Sequence, residues 1–415
     1  MATPQLDLDA IRSRFPALAR TGPDGAPLVY LDGPGGSQVP QQVIDAISGY
    51  LTRSNANLGG PFVTSMESVE LLDETKLAVA DFLGCTVEEV VYGPNMTTLN
   101  FLLAHAAART FAPGDEVIVS VLDHDANVGP WYRIAEDHGL VVRTLGGRDG
   151  DLQLDPERLR AMLTPRTKVV AYTLASNGIG TKPPARTLAD AAHEAGALVW
   201  LDAVHYAPHH LIDVEALGAD VLLCSPYKFF GPHQGVAFVR RHLAETWPAD
   251  KVRPAAEWPP GHRFETGTQN HEAIAGVGAA IDYLASLGEG QTRRERLTSA
   301  YEQIAAHEDE LSRQMLDGLA EVPGLTLYGV SDPAKLAERT PTYTFRLAGR
   351  TPQAVCEALA ADGICGWHGN YYALNAMVAL DLEESGGAVR LGFLHYTTSD
   401  EVERTLASLN RIARG

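Results

Sequence analysis

Between residues 70 and 240 the chain repeats one pattern: a short, continuously apolar run, a polar or charged residue directly after it, then a stretch with helical spacing. Glu116 to Val121, Val141 to Leu145, Val169 to Leu174, Ala197 to Leu201, Val221 to Cys224 and Val236 to Arg240 read as strands, and Ser68 to Leu83 and Thr97 to Thr110 as helices. Several of these strands are apolar throughout instead of alternating. That is the signature of a mostly parallel sheet with helices covering both faces, so the pattern predicts an α/β domain. Pro113-Gly114, Ala195-Gly196 and Gly231-Pro232 supply the breaks between elements that such a domain needs.

The alternation stops at the proline-rich stretch from Lys251 to Glu272. Helical patterns follow at Glu272 to Leu287 and Gln291 to Leu319, and then a smaller α+β set. In that set Leu325 to Tyr328, Thr342 to Arg346 and Val389 to Phe393 read as strands, Gln353 to Asp362 as a helix, and a last helix starts at Ser399. A chain of 415 residues is long enough for about two or three domains. The expected division is an N-terminal segment, 1–27, packing on the small domain, a large domain, 28–288, and a small C-terminal domain, 289–415.

Several function classes drop out. With 33 Lys+Arg against 52 Asp+Glu the formal charge is -19, which repels a phosphate backbone and excludes nucleic acid as the main partner. No apolar run approaches the roughly 18 residues of a membrane span. The opening residues carry no basic and apolar leader, so the expected location is the cytoplasm. The four cysteines, Cys85, Cys224, Cys356 and Cys365, form no Cys-x-x-Cys or Cys/His pattern, so neither a disulfide framework nor a metal site is expected.

In open α/β sheets ligands collect beyond the carboxyl ends of the strands, which directs attention to the polar residues after each apolar run. Asp202 and His205 follow one strand, and Ser225-Pro-Tyr-Lys228 follows the next. His124 and Asn177 stand just past two others. Gly93-Pro-Asn95-Met-Thr-Thr98 opens a helix and offers free amide donors of the kind that hold a phosphate. A Schiff-base lysine, a carboxylate for a pyridine nitrogen, a ring-stacking group and a phosphate cradle are together the requirements of pyridoxal 5'-phosphate (PLP). Each requirement has a candidate here.

The motifs Tyr30-Leu-Asp-Gly-Pro-Gly-Gly, Asp123-His-Asp-Ala-Asn-Val-Gly-Pro-Trp131, Ala175-Ser-Asn-Gly-Ile-Gly-Thr181, Asp202-Ala-Val-His-Tyr, Ser225-Pro-Tyr-Lys-Phe-Phe-Gly-Pro232 and Arg263-Phe-Glu-Thr-Gly-Thr-Gln-Asn270 span nearly the whole chain. In combination they resemble the class V aminotransferase family of fold type I PLP enzymes, in its cysteine desulfurase-like branch. The resemblance implies a large PLP-binding domain with a mostly parallel, seven-stranded-type sheet flanked by helices, and a smaller α+β domain. It implies that Lys228 forms the Schiff base, Asp202 pairs with the pyridine nitrogen and His124 stacks on the ring. Asn177 and His205 would reach the phenolic oxygen, although desulfurases commonly carry Gln at the latter position. Asn95, Met96, Thr97, Ser225 and Tyr227 would hold the phosphate, the last where relatives often have His. Thr268 would come from the neighbouring subunit of a homodimer. Arg390 matches the arginine that clamps a substrate α-carboxylate, a task suited to its planar fork. Asn57, in the Ser54 to Gly60 loop, is expected on the substrate.

One family feature is missing. A desulfurase attacks the substrate sulfur with a loop cysteine, and here that position falls on or beside Tyr372. Cys365, seven residues earlier, sits in what reads as a strand and is expected to be structural, since free cysteine is among the most buried residue types. Tyr371 and Tyr372 read equally as a gate, an acid or packing aromatics. The expected activity is therefore a PLP-dependent carbon–sulfur lyase, or desulfurase-like enzyme, acting on cysteine or an S-substituted cysteine. Lys228, His124 and Tyr372 are the expected catalytic residues. Epimerisation, transamination and decarboxylating deamination of an amino acid use the same groups and stay open, as does a cofactor-binding protein without catalysis.

Overall fold

The computed structural model describes residues 6–23, 25–148 and 150–415. Its centre is a seven-stranded sheet built from β1 (Val90–Gly93), β2 (Glu116–Ser120), β3 (Val141–Leu145), β4 (Thr167–Thr173), β5 (Leu198–Asp202), β6 (Val221–Cys224) and β7 (Gly235–Val239). The spatial order is β1-β7-β6-β5-β4-β2-β3. Neighbours from β6 to β3 are parallel, and β7 runs against both β6 and β1. The strand bounds lie within two residues of those read from the sequence. β1 was not anticipated, because its four residues run straight into the turn at Pro94.

Successive side chains of these strands enter two different cores. Val117, Val119, Ala171, Trp200 and Leu223 join one cluster, while Ile118, Val170, Tyr172, Leu201 and Leu222 join the other. Both faces of β2, β4, β5 and β6 are therefore dry, which is why these strands read as largely apolar runs, whereas the edge strand β3 is partly exposed. The same parallel order puts the carboxyl ends of β2, β4, β5 and β6 along one edge. β1, antiparallel to β7 as β6 is, ends there as well and feeds the helix Met96–Ala108.

A four-stranded antiparallel sheet stands against that edge: β8 (Leu325–Tyr328), β9 (Thr342–Leu347), β10 (Trp367–Gly369) and β11 (Ala388–Gly392), in the order β8-β9-β11-β10. Its core includes Met315 and Leu319 from the 28-residue helix Arg293–Ala320, and Leu409 from the last helix, Ser399–Arg414. Both helices begin with capping boxes, Thr292 with Glu295 and Thr398 with Glu401, which satisfy first-turn amides that would otherwise be orphaned. Of the expected segment 1–27, residues 1–5 and 24 lie outside the described residues. The described remainder is tied at Arg12, which donates to Glu401 at 2.9 Å, and at Phe15, edge-on to Tyr283 at 5.3 Å and Tyr396 at 5.1 Å. Among the described residues no helix is long and apolar enough to cross a membrane.

Asn100 locks the helix Met96–Ala108 to both the sheet and the loop after β2. Its amide donates to the Ala126 carbonyl at 2.7 Å and its oxygen accepts from the Trp200 indole at 2.8 Å, all of it buried. Replacing it by leucine strands two buried partners. Asn100→Leu is expected to lower unfolding stability by about 2–4 kcal/mol in chemical denaturation, since each unsatisfied group costs about 1–3 kcal/mol.

Candidate active site

The strand ends and the four-stranded sheet enclose a cleft of about 450 Å³. Lys228 enters it from the turn Pro226–Lys228 that follows β6. Its Nζ donates to the carbonyls of Pro34 at 2.5 Å and Gly35 at 2.8 Å and lies 4.8 Å from the Tyr227 ring. Burial, helped by the nearby Arg390 charge and opposed by Asp32 and Asp202, lowers its pKa to about 7. An amine near neutrality keeps two hydrogens for the two carbonyls and a lone pair for an electrophile.

Asp202 ends β5 on the cleft wall, where one carboxylate oxygen accepts from the Val204 amide at 2.8 Å. Burial raises it to about 6 against the opposing pull of that amide and of Lys228, so it is ionised at neutral pH. His124 is presented by a loop folded on Asp123. That carboxyl is buried, accepts from Asn127 at 2.9 Å and from the Ser120 hydroxyl, and is pushed up to about 8 by burial. His124 Nδ1 accepts the Ala126 amide at 3.0 Å, which leaves the ring proton on Nε2. Burial, then Lys228 and Arg390, lowers its pKa to about 4. The ring is therefore neutral and suited to stacking. Tyr372 stacks on it, with centroids 5.4 Å apart and 27° between the planes.

The far wall comes from the smaller sheet. Arg390 on β11 donates to the Asn177 carbonyl at 3.0 Å, approaches Asp32 at 3.4 Å and lies 4.3 Å over the Tyr371 ring. Asn177 donates its side-chain amide to the Tyr371 carbonyl at 2.9 Å. His205 meets the Thr342 hydroxyl at 2.8 Å through Nε2. Met96, Thr97, Ser225 and Tyr227 line the opposite end. Asn95 does not line the cleft: its side chain accepts the Thr98 amide at 2.8 Å and caps the helix, aiming the first-turn amides of Met96 and Thr97 outward. Gly235 is required behind it, because a Cβ there would come within 2.5 Å of the Asn95 backbone.

These residues fit PLP. Three buried polar atoms at the cleft residues have no partner, Asn177 Oδ1, His205 Nδ1 and Arg390 Nε, and buried polar groups are rarely left so unless a ligand answers them. The first-turn amides at the capped helix, with Ser225, suit a phosphate; Asp202 suits a ring nitrogen; His124 suits a ring face. Two expected residues are elsewhere: Thr268 and Asn57 are exposed and line no part of their own chain's cleft. No cysteine lines it either. Cys365 is half-buried on the two-residue strand Ile364–Cys365, paired with Val29–Tyr30, and burial pushes its thiol up, away from the nucleophilic thiolate.

The sequence reasoning gave no role to Asp32, which faces both cations of the cleft, nor to Thr340 and Thr342 behind His205. A signal for Asp32 did exist. It is followed by glycines, and at Gly35 a Cβ would sit 2.2 Å from the Asp32 carboxylate, so this carboxylate can fold back only over glycine.

A sheet of this order, with a lysine after β6, a carboxylate ending β5 and a capped helix at the same edge, defines a fold type I PLP-dependent enzyme. The chain belongs to the class V aminotransferase family, whose model matches residues 29–405. It is 31% identical to the aminotransferase-like protein FGM3 of Gibberella zeae over 99% of this chain and 100% of that one. It is 32% identical to a probable cysteine desulfurase of Streptomyces coelicolor, over 98% and 97%. The structure of an apo cysteine desulfurase from Thermococcus onnurineus NA1 superposes with a TM-score of 0.88 at 25% identity, covering 100% of both chains.

If Lys228 is the anchoring amine, borohydride reduction of the loaded protein fixes the cofactor on the wild type, and Lys228→Ala retains none after denaturation. The capture rate of PLP by the stripped protein is expected to rise with pH and level off above about 7, where Lys228 loses its proton. A rate that climbs on toward the usual lysine range of about 10.4 would contradict the depressed pKa.

Proposed function

We propose that this enzyme is a PLP-dependent carbon–sulfur lyase acting on cysteine or an S-substituted cysteine. The observation that carries the reading is a cleft furnished with Lys228, Asp202, His124 and Arg390 but lined by no cysteine, in a chain whose relatives include proteins named cysteine desulfurases. When bound, PLP supplies an electron-withdrawing ring conjugated to the substrate amino group, which makes the Cα–H acidic.

The residues divide the remaining work. Arg390 receives the α-carboxylate with the donors it does not share with Asn177, and Asp32 is the resident anion the substrate carboxylate displaces. Lys228, neutral in half its molecules near pH 7, takes the Cα proton. Asp202 holds the ring nitrogen, and Asn177 and His205 face the phenolic oxygen. With no thiol to accept sulfur, the β-substituent leaves whole. Substrate and water are converted to a thiol, or sulfide from cysteine itself, with pyruvate and ammonia. Tyr372 covers His124 and closes the cleft on that side. A homodimer completes the site in this reading: Thr268 and Asn57, exposed on their own chain, serve the partner's cleft.

The loaded enzyme, incubated with cysteine and a series of S-substituted cysteines, is expected to release thiol or sulfide, pyruvate and ammonia in equal amounts, and Arg390→Lys to lower kcat/KM about 10- to 100-fold through loss of the bidentate grip. No turnover of any of these substrates, together with α-proton exchange in deuterium oxide that leaves the side chain intact, would replace the lyase by the epimerase, aminotransferase or deaminase reading. That second reading is favoured by the same missing cysteine.

A further inference from the structure

His205 differs from a glutamine in one respect that matters at a phenolic oxygen. A glutamine amide always carries its donor, whereas a neutral imidazole can offer either a proton or a lone pair at a given nitrogen. Something else in the protein has to choose. His205 is buried, and its Nδ1 is one of the orphaned atoms at the cleft. Its Nε2 faces two hydroxyls, Thr342 Oγ1 at 2.8 Å and Thr340 Oγ1 at 3.2 Å.

The hydrogen-bond inventory of these threonines decides the tautomer. Thr340 has an acceptor of its own in the Gly180 carbonyl at 3.3 Å. Among the described residues the Thr342 hydroxyl has only His205 Nε2 close by, its other neighbour being Thr340 Oγ1 at 3.5 Å. Were Nε2 protonated, the Thr342 hydrogen would be left with that long contact and Nδ1 would be a buried lone pair. With Thr342 donating to Nε2, its hydrogen has an acceptor at 2.8 Å, Thr340 keeps the Gly180 carbonyl, and the proton sits on Nδ1, the nitrogen that the protein leaves unpartnered at the cleft. The ring stays neutral because burial, His209, Arg390 and Lys228 all disfavour a further charge. His209 cannot substitute for Thr342, since its Nδ1 is engaged by Glu308 at 2.9 Å and its ring meets His205 edge-on at 5.3 Å.

We propose that Thr342 is a positioning residue of the active site: from β9 of the smaller sheet it fixes His205 as the Nδ1–H tautomer, making the imidazole an obligate donor to the phenolic oxygen of the cofactor. This rests on the PLP assignment and on His205 facing that oxygen, and is independent of the reaction catalysed. A donor at the phenolic oxygen favours its anionic form, so the cofactor's own visible-band titration reports it without any substrate.

The test is an absorbance titration of the loaded, substrate-free enzyme for wild type, Thr342→Val, Thr342→Ser and His205→Gln. Thr342→Val is expected to raise the midpoint of the visible band by about one pH unit, the scale of one hydrogen bond to a charged acceptor. Thr342→Ser keeps the hydroxyl and the wild-type midpoint. In the His205→Gln background, where no tautomer remains to be chosen, Thr342→Val is expected to shift nothing. If the valine variant does not fold, Thr342→Cys replaces it and gives a smaller rise, its S–H being a weaker donor. A midpoint unmoved by loss of the hydroxyl, or moved equally in the glutamine background, overturns the proposal. The lyase assay fails or succeeds separately.

Discussion

Arg390 is buried, and the way its charge is answered organises the whole cleft. An isolated guanidinium in a dry interior is prohibitively costly, so it has to be paired and hydrogen-bonded. The partners come from three separate parts of the chain: Asp32 from the segment before the large sheet, the Asn177 carbonyl from the loop after β4, and the Tyr371 ring from the loop after β10. One side chain of the smaller sheet thereby bridges to the loop that follows a strand of the larger one. It also couples the ionisation of the groups around it. Arg390 presses Lys228 toward neutrality, and Asp32 partly restores its proton. The amine proposed to anchor the cofactor is thus tuned by the arginine proposed to receive the substrate.

Much of this was legible in the sequence, for a physical reason. Strands buried on both faces cannot alternate, so β2 and β4 to β7 announced themselves as apolar runs, and the shared direction of β2, β4, β5 and β6 put the residues after those runs on the wall of the cleft. Lys228, Asp202, His124 and Asn177 were found in that way and converge as expected. Asp32, Thr340 and Thr342 were not. Asp32 follows the two-residue strand Val29–Tyr30, which pairs with Ile364–Cys365 more than 330 residues further along the chain. Such a contact leaves no local period to read. Thr342 opens β9 and is indistinguishable from a β-branched residue chosen for the sheet. Only the distance to His205 shows that its hydroxyl has a specific partner.

Asn95 illustrates a subtler point. A Gly-Pro-Asn turn opening a helix suggested phosphate donors from the asparagine and the two residues after it, by backbone or side chain. The structure spends the side chain on the Thr98 amide, so any donors this turn offers to an anion are backbone amides. Capping and anion binding draw on the same four free amides of a helix start, so a residue serving one is unavailable to the other.

The loop after β10 bears most directly on what the enzyme can do. A cysteine that carries sulfur away from a cleft has to travel, so its loop must detach. Here the equivalent loop is fastened on both sides. The Tyr372 carbonyl accepts the Asp125 amide at 2.7 Å, the Tyr371 carbonyl accepts the Asn177 side chain at 2.9 Å, and the Tyr371 hydroxyl is bonded to the Ala388 carbonyl. Tyr371 and Tyr372 both adopt the left-handed backbone, at φ 56° and 57°, a conformation that costs a residue with a side chain on the order of 1 kcal/mol or more. That cost is sustained because the two rings have places to go, one beneath Arg390 and one against His124. The segment that would deliver a nucleophile has become part of the wall. A wall with no cysteine in it, held in place from both sides, is the structural ground for the proposal that the β-substituent is released directly and not passed to a thiol of this loop.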